Sequence, residues 1–597
     1  MLSTLIVALT WAAAPAPARS GDLLELIPPD SQFVFMWRED PAEDFMKPLW
    51  DRAWAEAQKA GIRKGFEDLV GSLFGQGAKA GIAAFCEQAS SLRWGRIFAN
   101  GLVAARVDVE EGLEIAVLLQ PADPAEAFQG LRSLLKQAAV LTQWELAEEK
   151  NRVGLPQLGL ELRRQGAYVV AGYGPILGRI ISNLSAPAGR KGLWSNPRWK
   201  RAAAYLPAAQ TSALFMDIEG LCRVVDSIAG KLGELITPPF REGGSAEVKA
   251  YWRAFDPSRT ILCIAGVSWI NGRVVHSAQV GLLAEGWRDT PLGKVFMSTP
   301  RTPPYEKVPS DATSFSYTCR VDLISLANSI VESLPDPQLR RKAREIIRGN
   351  LGTLNVSVED LLWIFSMPEL SFTLPGLKPT LFGTMDQSVV CIELDDPKRM
   401  QRILNAIESF LELEFGEGES LPFKIRPAKD MPGFKTLSFG ELPMGEMGWG
   451  IKGRNFYFTS DIQTLKEVFE GKHEGLRPFS TKPALRELGM FPAEPVLSIR
   501  YYDTGRMLGQ IAQLFALVGV GAAFVPPDTP YREQVLRVLA FFPRLAPFVR
   551  ALDFFGDTVS VSKLDPQAGL ITDHGTILIR TEKIPKKRAE KPQRAAF

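Results

Sequence analysis

The three histidines of this chain, His276, His473 and His574, are the first residues to test for metal or acid–base chemistry. They lie far apart, and no HxxH or HExxH spacing occurs among them, so the sequence excludes a histidine-rich metal site. A Ser-His-Asp triad needs a nucleophile on a sharp turn, and no GxSxG is present. His276 and His574 fall on roughly equivalent strands, which predicts exposed strand residues.

A glycine turn, Gly-Tyr-Gly-Pro at 172–175, follows a strand-like run and opens a predicted helix over 175–184. Backbone amides at such a helix start can hold a phosphate. The next glycine, Gly178, comes one residue late for GxGxxG. The matching turn later in the chain, 459–461, is an ordinary N-cap without glycine. We therefore predict two helix starts and no cofactor or metal.

Acidic residues occur in adjacent pairs at 39–40, 43–44, 67–68 and 359–360. Two carboxylates could flank a glycosidic bond after folding, and an exported hydrolase with such a pair in a cleft is one alternative prediction. Acidic residues in first helical turns usually serve the helix dipole. A SxxK match at Ser133 and Lys136 lies inside a helical pattern without SDN or KTG and is a coincidence. The sequence favours a protein that is not an enzyme.

The composition, 46% hydrophobic and 23% charged, is typical of a globular protein. Its five cysteines form no CxxC and predict buried free thiols. Residues 580–597 contain seven basic and two acidic side chains, so with a total of +2 the remaining chain sums to −3. No nucleic-acid partner is predicted. Segment 581–597 is predicted to be a basic, disordered tail.

The N-terminal run 2–14 is apolar, and Ala16-Pro17-Ala18 follows it as a small-residue cleavage site. This pattern predicts a signal peptide over 1–18 and an extracytoplasmic location, periplasmic or secreted. The apolar run is too short to span a bilayer comfortably.

The sequence segments that would position any site occur twice along the chain. Six short matches recur in one order with offsets of 273–292, among them 28–30 with 309–311, 168–170 with 456–458, and 238–239 with 526–527. We predict repeat 1 over 22–292, a proline-rich linker over 293–304 and repeat 2 over 305–580.

Each repeat combines strands with amphipathic helices. Asn271-Gly272 between two strand-like runs predicts a hairpin over 261–283, and residues 322–334 have helical spacing. The fold class predicted is α+β, two tandem copies with antiparallel sheets and helices packed on one face.

With its signal peptide, the Pro-x-Asp, strand and helix opening at 28–36 and 309–317, and Glu-Asp-Leu-Leu at 359–362, the chain resembles a functionally uncharacterised family of exported bacterial proteins. The resemblance covers nearly the whole mature chain. It implies no activity and no catalytic residues.

One segment breaks the symmetry of the repeats. Residues 511–525 are apolar except for Gln513, whereas the counterpart 224–236 carries Asp226, Lys231 and Glu234. A helix that is apolar nearly all round must be covered by protein, by a second subunit or by lipid. Coverage by the neighbouring segment 533–555 is the simpler prediction. The alternative is an apolar contact surface, for which the candidate residues are Ile511, Leu514, Phe515, Leu517, Val518 and Phe524.

The favoured function is a non-enzymatic envelope protein that binds a partner, a polymer or a lipid. Besides the hydrolase, a carrier of lipid or another apolar ligand remains an alternative, with the helix at 511–525 lining its cavity. Peripheral contact with a membrane is a further alternative, and the sequence predicts no particular oligomeric state.

Overall fold

The computed structural model describes residues 21–581. Within that range it leaves out 40–44, 109, 111, 186–190, 208–210, 236–243, 297–299, 377–378, 381–382, 385, 416–423, 439–445, 472–478, 483–484, 486–487, 489–491, 522–524, 528 and 530. The predicted signal peptide, the tail beyond Thr581, and Phe524 of the candidate surface therefore lie outside the described residues.

The strands are numbered in chain order. They are β1 Phe33–Arg38, β2 Asn100–Asp108, β3 Gly112–Gln120, β4 Ala147–Glu149, β5 Arg152–Leu155, β6 Leu160–Gln165, β7 Tyr168–Tyr173, β8 Ser212–Asp217, β9 Ile261–Asn271, β10 Val274–Leu283, β11 Ser314–Thr318, β12 Glu369–Leu374, β13 Pro379–Thr380, β14 Gly383–Thr384, β15 Gln387–Glu393, β16 Lys424–Pro427, β17 Phe434–Ser438, β18 Met447–Lys452, β19 Asn455–Thr459, β20 Ser498–Asp503, β21 Phe555–Asp565 and β22 Leu570–Ile579.

The helices are numbered likewise. They are α1 Gly21–Glu25, α2 Lys47–Lys59, α3 Ile62–Phe74, α4 Gln76–Ser91, α5 Trp94–Ile97, α6 Pro124–Thr142, α7 Pro175–Ser185, α8 Pro197–Ala203, α9 Ile218–Leu235, α10 Gly244–Phe255, α11 Pro291–Phe296, α12 Leu323–Ser333, α13 Pro337–Arg348, α14 Val358–Ser366, α15 Pro397–Phe415, α16 Ile462–Glu470, α17 Thr504–Gly521 and α18 Arg532–Ala551.

Twenty of these strands form one antiparallel sheet, and β13 and β14 pair separately. Its first ten strands lie in the order β4-β5-β6-β7-β3-β2-β1-β8-β9-β10. The other ten continue as β22-β21-β20-β11-β12-β15-β19-β18-β17-β16. Read from the outer edge inward, both halves follow the same sequence of elements.

The two halves join through β10 and β22. Their antiparallel register runs from Val274 opposite Leu578 to Leu282 opposite Leu570. We call this pairing the seam. The seam joins the antiparallel strands of both halves into one continuous sheet, because each half ends on a strand whose edge the other half covers.

Local signals explain several elements directly. The predicted hairpin over 261–283 is confirmed: β9 and β10 pair antiparallel, and Gly272 has a φ of +59° in the turn. The predicted helix over 322–334 is confirmed as α12, which Asp322 caps by accepting a hydrogen bond from the amide of Ser325.

One face of the sheet, called the inner face, carries two large cores. In the first half, Met36, Leu118 and Phe215 pack with Ile176 of α7 and Trp199 of α8. In the second half, the core contains Phe315, Leu465, Phe479 and Tyr501. All nine of these side chains are buried.

The prediction of helices on one face is wrong. Leu118 and Leu119 are neighbours on β3 and point to opposite faces, and Leu119 belongs to a separate core with Phe128 of α6. The second half repeats this arrangement, with Met400 and Ile403 of α15 in an outer core that Ile392 of β15 joins. Strand β3 is apolar at successive positions and therefore needs cover on both faces.

The outer face also meets two helical hairpins that cross between the halves. The second hairpin, α17 with α18, packs on α2 and α3 of the first half, while the first hairpin, α9 with α10, packs on α12 of the second half. In the first hairpin, Ala254 joins Val331, Leu334 and Leu339 in a buried cluster. Each half thus contacts the other half through a helical hairpin.

Candidate functional site

The predicted apolar helix forms α17, and it brings five of the six candidate residues onto one element. Its Phe515 packs on Phe542 of α18 with ring centroids 5.5 Å apart, and Ala512 is fully buried. Leu514 is 44% exposed on the other side. The segment 533–555 therefore covers one side of this helix, as the simpler prediction required, and leaves part of the helix open.

The glycine turn at 172–175 holds a carboxylate of the protein itself. Glu114, fully buried on β3, accepts a hydrogen bond of 2.7 Å from the amide of Ile176 at the start of α7. Arg106 donates to the same carboxylate at 2.9 Å. A Cβ on Gly174 would lie 2.9 Å from the Glu114 side chain, so glycine is needed there for close approach as well as for its φ of +84°. The helix start is thus occupied by an internal anion.

The acidic pairs that lie in the described residues are bound to cations. Glu67 pairs with Arg63 and Asp68 with Lys79. The Lys79 ammonium lowers the pKa of the Asp68 carboxyl. These ion pairs serve helices and do not form a catalytic carboxylate dyad.

Asp360 has a structural role as well. It closes a capping box with Ser357 at the start of α14 and accepts from Arg399 and Arg402. Burial alone would raise the pKa of its carboxyl, but the hydrogen bonds from Ser357 and Arg399 lower it. This group therefore does not hold a proton for acid catalysis.

Two of the three histidines meet at the seam. The ring of Trp269 stacks on His276 at 5.1 Å and contacts the edge of His574 at 5.8 Å. Burial, and then the neighbouring His574, lowers the pKa of His276, and burial also lowers that of His574. His473 lies outside the described residues.

The outer face of the sheet, on both sides of the seam, carries a feature that the sequence did not predict. Strand register places one row of small polar residues across eight neighbouring strands, interrupted by a glycine and an arginine: Ser212, Ser268, Ser277, Gly575, Ser560, Arg500, Ser316 and Ser371. The row spans about 34 Å at the usual strand spacing. We call it the serine row.

Polar side chains flank the serine row on both sides within the second half. The flanking residues on the same face are Thr318, Ser498, Ser562 and Asp573 on one side, and Ser314, Thr373, Tyr502 and Thr558 on the other. We call these residues, together with Ser560, Arg500, Ser316 and Ser371, the hydroxyl face. Its signal in the sequence is alternation of Ser or Thr with apolar residues, as in 314–318 and 558–562.

Several groups on this face have no partner in the protein. Among the described residues, the side chains of Ser316, Ser371, Ser498 and Tyr502 make no hydrogen bond, and the exposed Arg500 makes no ion pair. Others bond within the face, such as Ser314 to Thr373 at 2.7 Å. The face therefore presents unused donors and acceptors next to a free guanidinium.

The equivalent face of the first half is more apolar, although Ser212 and Ser268 hold the places of Ser498 and Ser562 there. Position by position, Ser314, Ser316 and Arg500 correspond to Phe33, Phe35 and Leu214, because they hold the same places in the strand register. These first-half side chains are half-buried.

Other site types find little support in the part of the chain that the structure describes. Shallow clefts of about 340 and 480 Å³ lie beside α15 and beside the turn of β21 and β22, and neither includes α17. No group of three metal-ligating side chains occurs in the described ranges. None of the described helices combines the length and apolarity needed to cross a bilayer. The cysteines are free thiols, and burial raises the pKa of Cys263 to about 12.

No protein-family model, curated protein or solved structure matches this chain.

Proposed function

We propose that this protein is a non-enzymatic, exported binding protein that holds a saccharide polymer on its hydroxyl face. The observation that carries the proposal is the set of unpartnered side chains around Arg500, at positions where the first half has Phe35 and Leu214. An exposed array of this kind has hydrogen-bonding capacity that only solvent or a ligand can use.

The chemistry of the face favours a polyhydroxyl ligand. Sugar hydroxyls both donate and accept hydrogen bonds, and Ser, Thr and Tyr side chains match both roles. Charges on the face are mixed, because Arg500 on β20 and Asp573 on β22 both belong to it, and this suits a largely neutral chain rather than a polyanion.

Aromatic residues lie at the two ends of the same register row. Trp37 of β1 pairs with Ser212, and Phe458 of β19 follows Val390, the neighbour of Ser371. Such rings can stack on the apolar faces of sugar rings. The length of the row fits an extended chain better than a single small molecule.

The wider interpretation rests on the same comparison. We propose that the halves are tandem copies of one fold, supported by their equal strand order, and that the N-terminal segment directs export. A duplicated scaffold with one altered face is consistent with binding rather than catalysis, because the buried carboxylates of Asp360 and Glu114 each have a structural partner.

Cosedimentation of the mature chain with insoluble peptidoglycan, chitin and cellulose tests the proposal. The decisive variant is Ser316→Phe with Arg500→Leu, which installs the first-half residues Phe35 and Leu214. We expect wild-type protein to pellet with at least one of these glycans and the double variant to lose at least tenfold in apparent affinity.

The matched control is Arg341→Ala on α13, an 83%-exposed arginine side chain of the same half. It should bind as the wild type does. If the wild type pellets with none of the three glycans, or if the double variant and the control bind equally, the proposed function is wrong.

A further inference from the structure

Five apolar side chains share the outer face of the first half. On β1 and β8, Phe33 lies opposite Met216, and Phe35 lies opposite Leu214. On the other side of β1, Val103 of β2 lies opposite Phe35. Because cross-strand partners point to the same side of a sheet, these side chains are neighbours. We call Phe33, Phe35, Val103, Leu214 and Met216 the apolar strip.

The apolar strip is not packed into the protein interior. All five of its side chains are half-buried, whereas Val34, Met36 and Phe215, which alternate with them and point to the inner face, are at most 1% exposed. In the part of the chain that the structure describes, no member of the strip belongs to any of the buried cores. Apolar surface that a protein leaves accessible in one contiguous patch is typical of a binding site.

Helix α9 limits the strip at one end. Gln32, which precedes Phe33, donates from its side-chain amide to the carbonyl of Gly220 in the first turn of this helix, at 3.3 Å. Phe33 and Met216 stay half-buried beside the helix. At Phe35 and Leu214 the strip is instead continued by further strands of the sheet.

The register row through Leu214 leads from the apolar strip to the hydroxyl face. It passes Gly266 of β9 and Gln279 of β10, crosses the seam, and reaches Asp573 of β22. Three strand spacings, about 14 Å, separate Leu214 from Asp573. The serine row runs beside it over the same strands. One face of the sheet therefore carries an apolar surface and a hydroxyl surface in line across the strands.

We propose that one amphiphile lies across both surfaces: a saccharide that carries a hydrocarbon chain at one end. The inference rests on the proposed function, because it places the sugars on the hydroxyl face, and it adds that the hydrocarbon lies on the apolar strip. A saccharide alone leaves the strip in contact with water, and a hydrocarbon alone leaves the hydroxyls without partners. Since removing apolar surface from water is favourable in proportion to its area, a ligand that covers both surfaces binds more tightly than a ligand that covers one.

Equilibrium dialysis of the mature chain tests this inference with three probes, each below its critical micelle concentration where it has one. Dodecyl maltoside has both parts, maltose has only the sugar, and octaethylene glycol monododecyl ether has the same hydrocarbon chain without a sugar. We expect the wild type to bind dodecyl maltoside at least tenfold more tightly than either of the other two probes.

The decisive variant exchanges residues between the halves. Phe35→Ser with Leu214→Arg installs the residues that the second half has at Ser316 and Arg500, and it should lower the affinity for dodecyl maltoside at least tenfold while leaving that for maltose unchanged. The matched control is Phe365→Ser with Leu413→Arg, the same substitutions at side chains that are 70% and 65% exposed on α14 and α15. It should bind as the wild type does. Circular dichroism verifies that both variants fold, and the comparison of probes on the wild type decides the question even if the first does not.

Two results would overturn the inference. If dodecyl maltoside binds no more tightly than maltose, the strip does not hold hydrocarbon, and if it binds no more tightly than the ether, the sugar does not contribute. Cosedimentation with insoluble glycans tests the proposed function separately. A chain that pellets with a glycan but does not prefer dodecyl maltoside keeps the proposed function and loses this inference, whereas a chain that prefers dodecyl maltoside but pellets with no glycan keeps the amphiphile site and loses the polymer.

Discussion

The two halves of the sheet share strand order and register, yet they differ most on the outer face. Positions that hold Phe33, Phe35 and Leu214 in the first half hold Ser314, Ser316 and Arg500 in the second. On the inner face, both halves keep large buried side chains such as Phe215 and Tyr501. The difference teaches that the two halves keep the same fold with large buried side chains on the inner face and different residue types on the outer face.

The halves also differ in one buried corner. In the second half, Tyr501 donates to Asp557, and Arg580 and Lys482 lie nearby. The ammonium of Lys482 lies 4.5 Å from the centre of the Tyr501 ring, and burial lowers its pKa. The register places Phe215 and Cys263 where the second half has Tyr501 and Asp557.

The largest effect is expected from breaking this corner. Asp557→Ala leaves the buried Tyr501 hydroxyl without its acceptor and removes one of the carboxylates that face Lys482 and Arg580, which should lower the free energy of unfolding by about 3–5 kcal/mol. Urea denaturation followed by circular dichroism measures it.

The first half supplies the control for this loss. Cys263→Ala should cost only about 1 kcal/mol, because it removes one sulfur atom and a long thiol hydrogen bond of 4.0 Å to the carbonyl of Arg198. Installing the first-half pair, Tyr501→Phe with Asp557→Cys, should recover part of the loss, since the Tyr501 hydroxyl is removed together with its acceptor. Equal losses for Asp557→Ala and Cys263→Ala would contradict this account of the corner.

The next-largest effect concerns the helix that follows the fourth strand from the outer edge of each half. The two halves stabilise the start of this helix in different ways. The first half uses buried Glu114 for α7, while the second uses the local cap Asp461 for α16 and has Gln387 at the position of Glu114. Glu114→Gln removes the charge that Arg106 binds and should cost about 1–3 kcal/mol.

The reverse substitution sharpens the comparison. Gln387→Glu introduces a charge at an 8%-exposed site where the Gln387 amide oxygen accepts from Ser460, and should also destabilise the chain. Thermal and chemical denaturation of both variants are the measurements. A neutral result for Glu114→Gln would mean that the glycine turn does not depend on this anion.

Local sequence signals predicted much of the fold and little of its assembly. The Asn-Gly turn at 271–272 and the spacing over 322–334 report contacts within a few residues, and both elements formed as expected. The seam pairs residues about 300 positions apart, as with Val274 and Leu578, and no local pattern specifies that register.

The candidate sites, too, could be predicted where the signal is local and not where it depends on contacts between distant residues. The apolar run at 511–525 identified α17 from its composition alone, but its exposed side depends on where α18 lies. Glu114 and Ile176 are 62 residues apart, so the anion at the glycine turn could not be inferred from the turn itself. The strands of the hydroxyl face show an alternation of Ser or Thr with apolar residues in the sequence. Only the strand register shows that these strands are neighbours in the sheet.

The smallest expected effect tests the seam where the halves join. Trp269 packs against His276 from the first half and His574 from the second, and burial lowers the pKa of both histidines. Because the unfolded chain keeps the ordinary value near 6.5, it binds more protons than the folded chain below that pH. The stability that these neutral histidines provide is therefore present above pH 6.5 and is lost as pH falls through 6.5 towards their lowered pKa values.

The wild type should lose more free energy of unfolding between pH 7.5 and pH 5 than His276→Gln with His574→Gln does. Protonated histidines beside the Trp269 ring change its emission, so the difference in fluorescence between the wild type and Trp269→Phe over the same pH range gives a second readout in this chain of 13 tryptophans. Asp573 and Lys563 also act on His574, with opposite signs, so the single variant His276→Gln is the cleaner comparison. If both proteins lose equal stability, the acid sensitivity belongs to carboxylates elsewhere, and the seam is held by its strand register and not by the neutral state of its histidines.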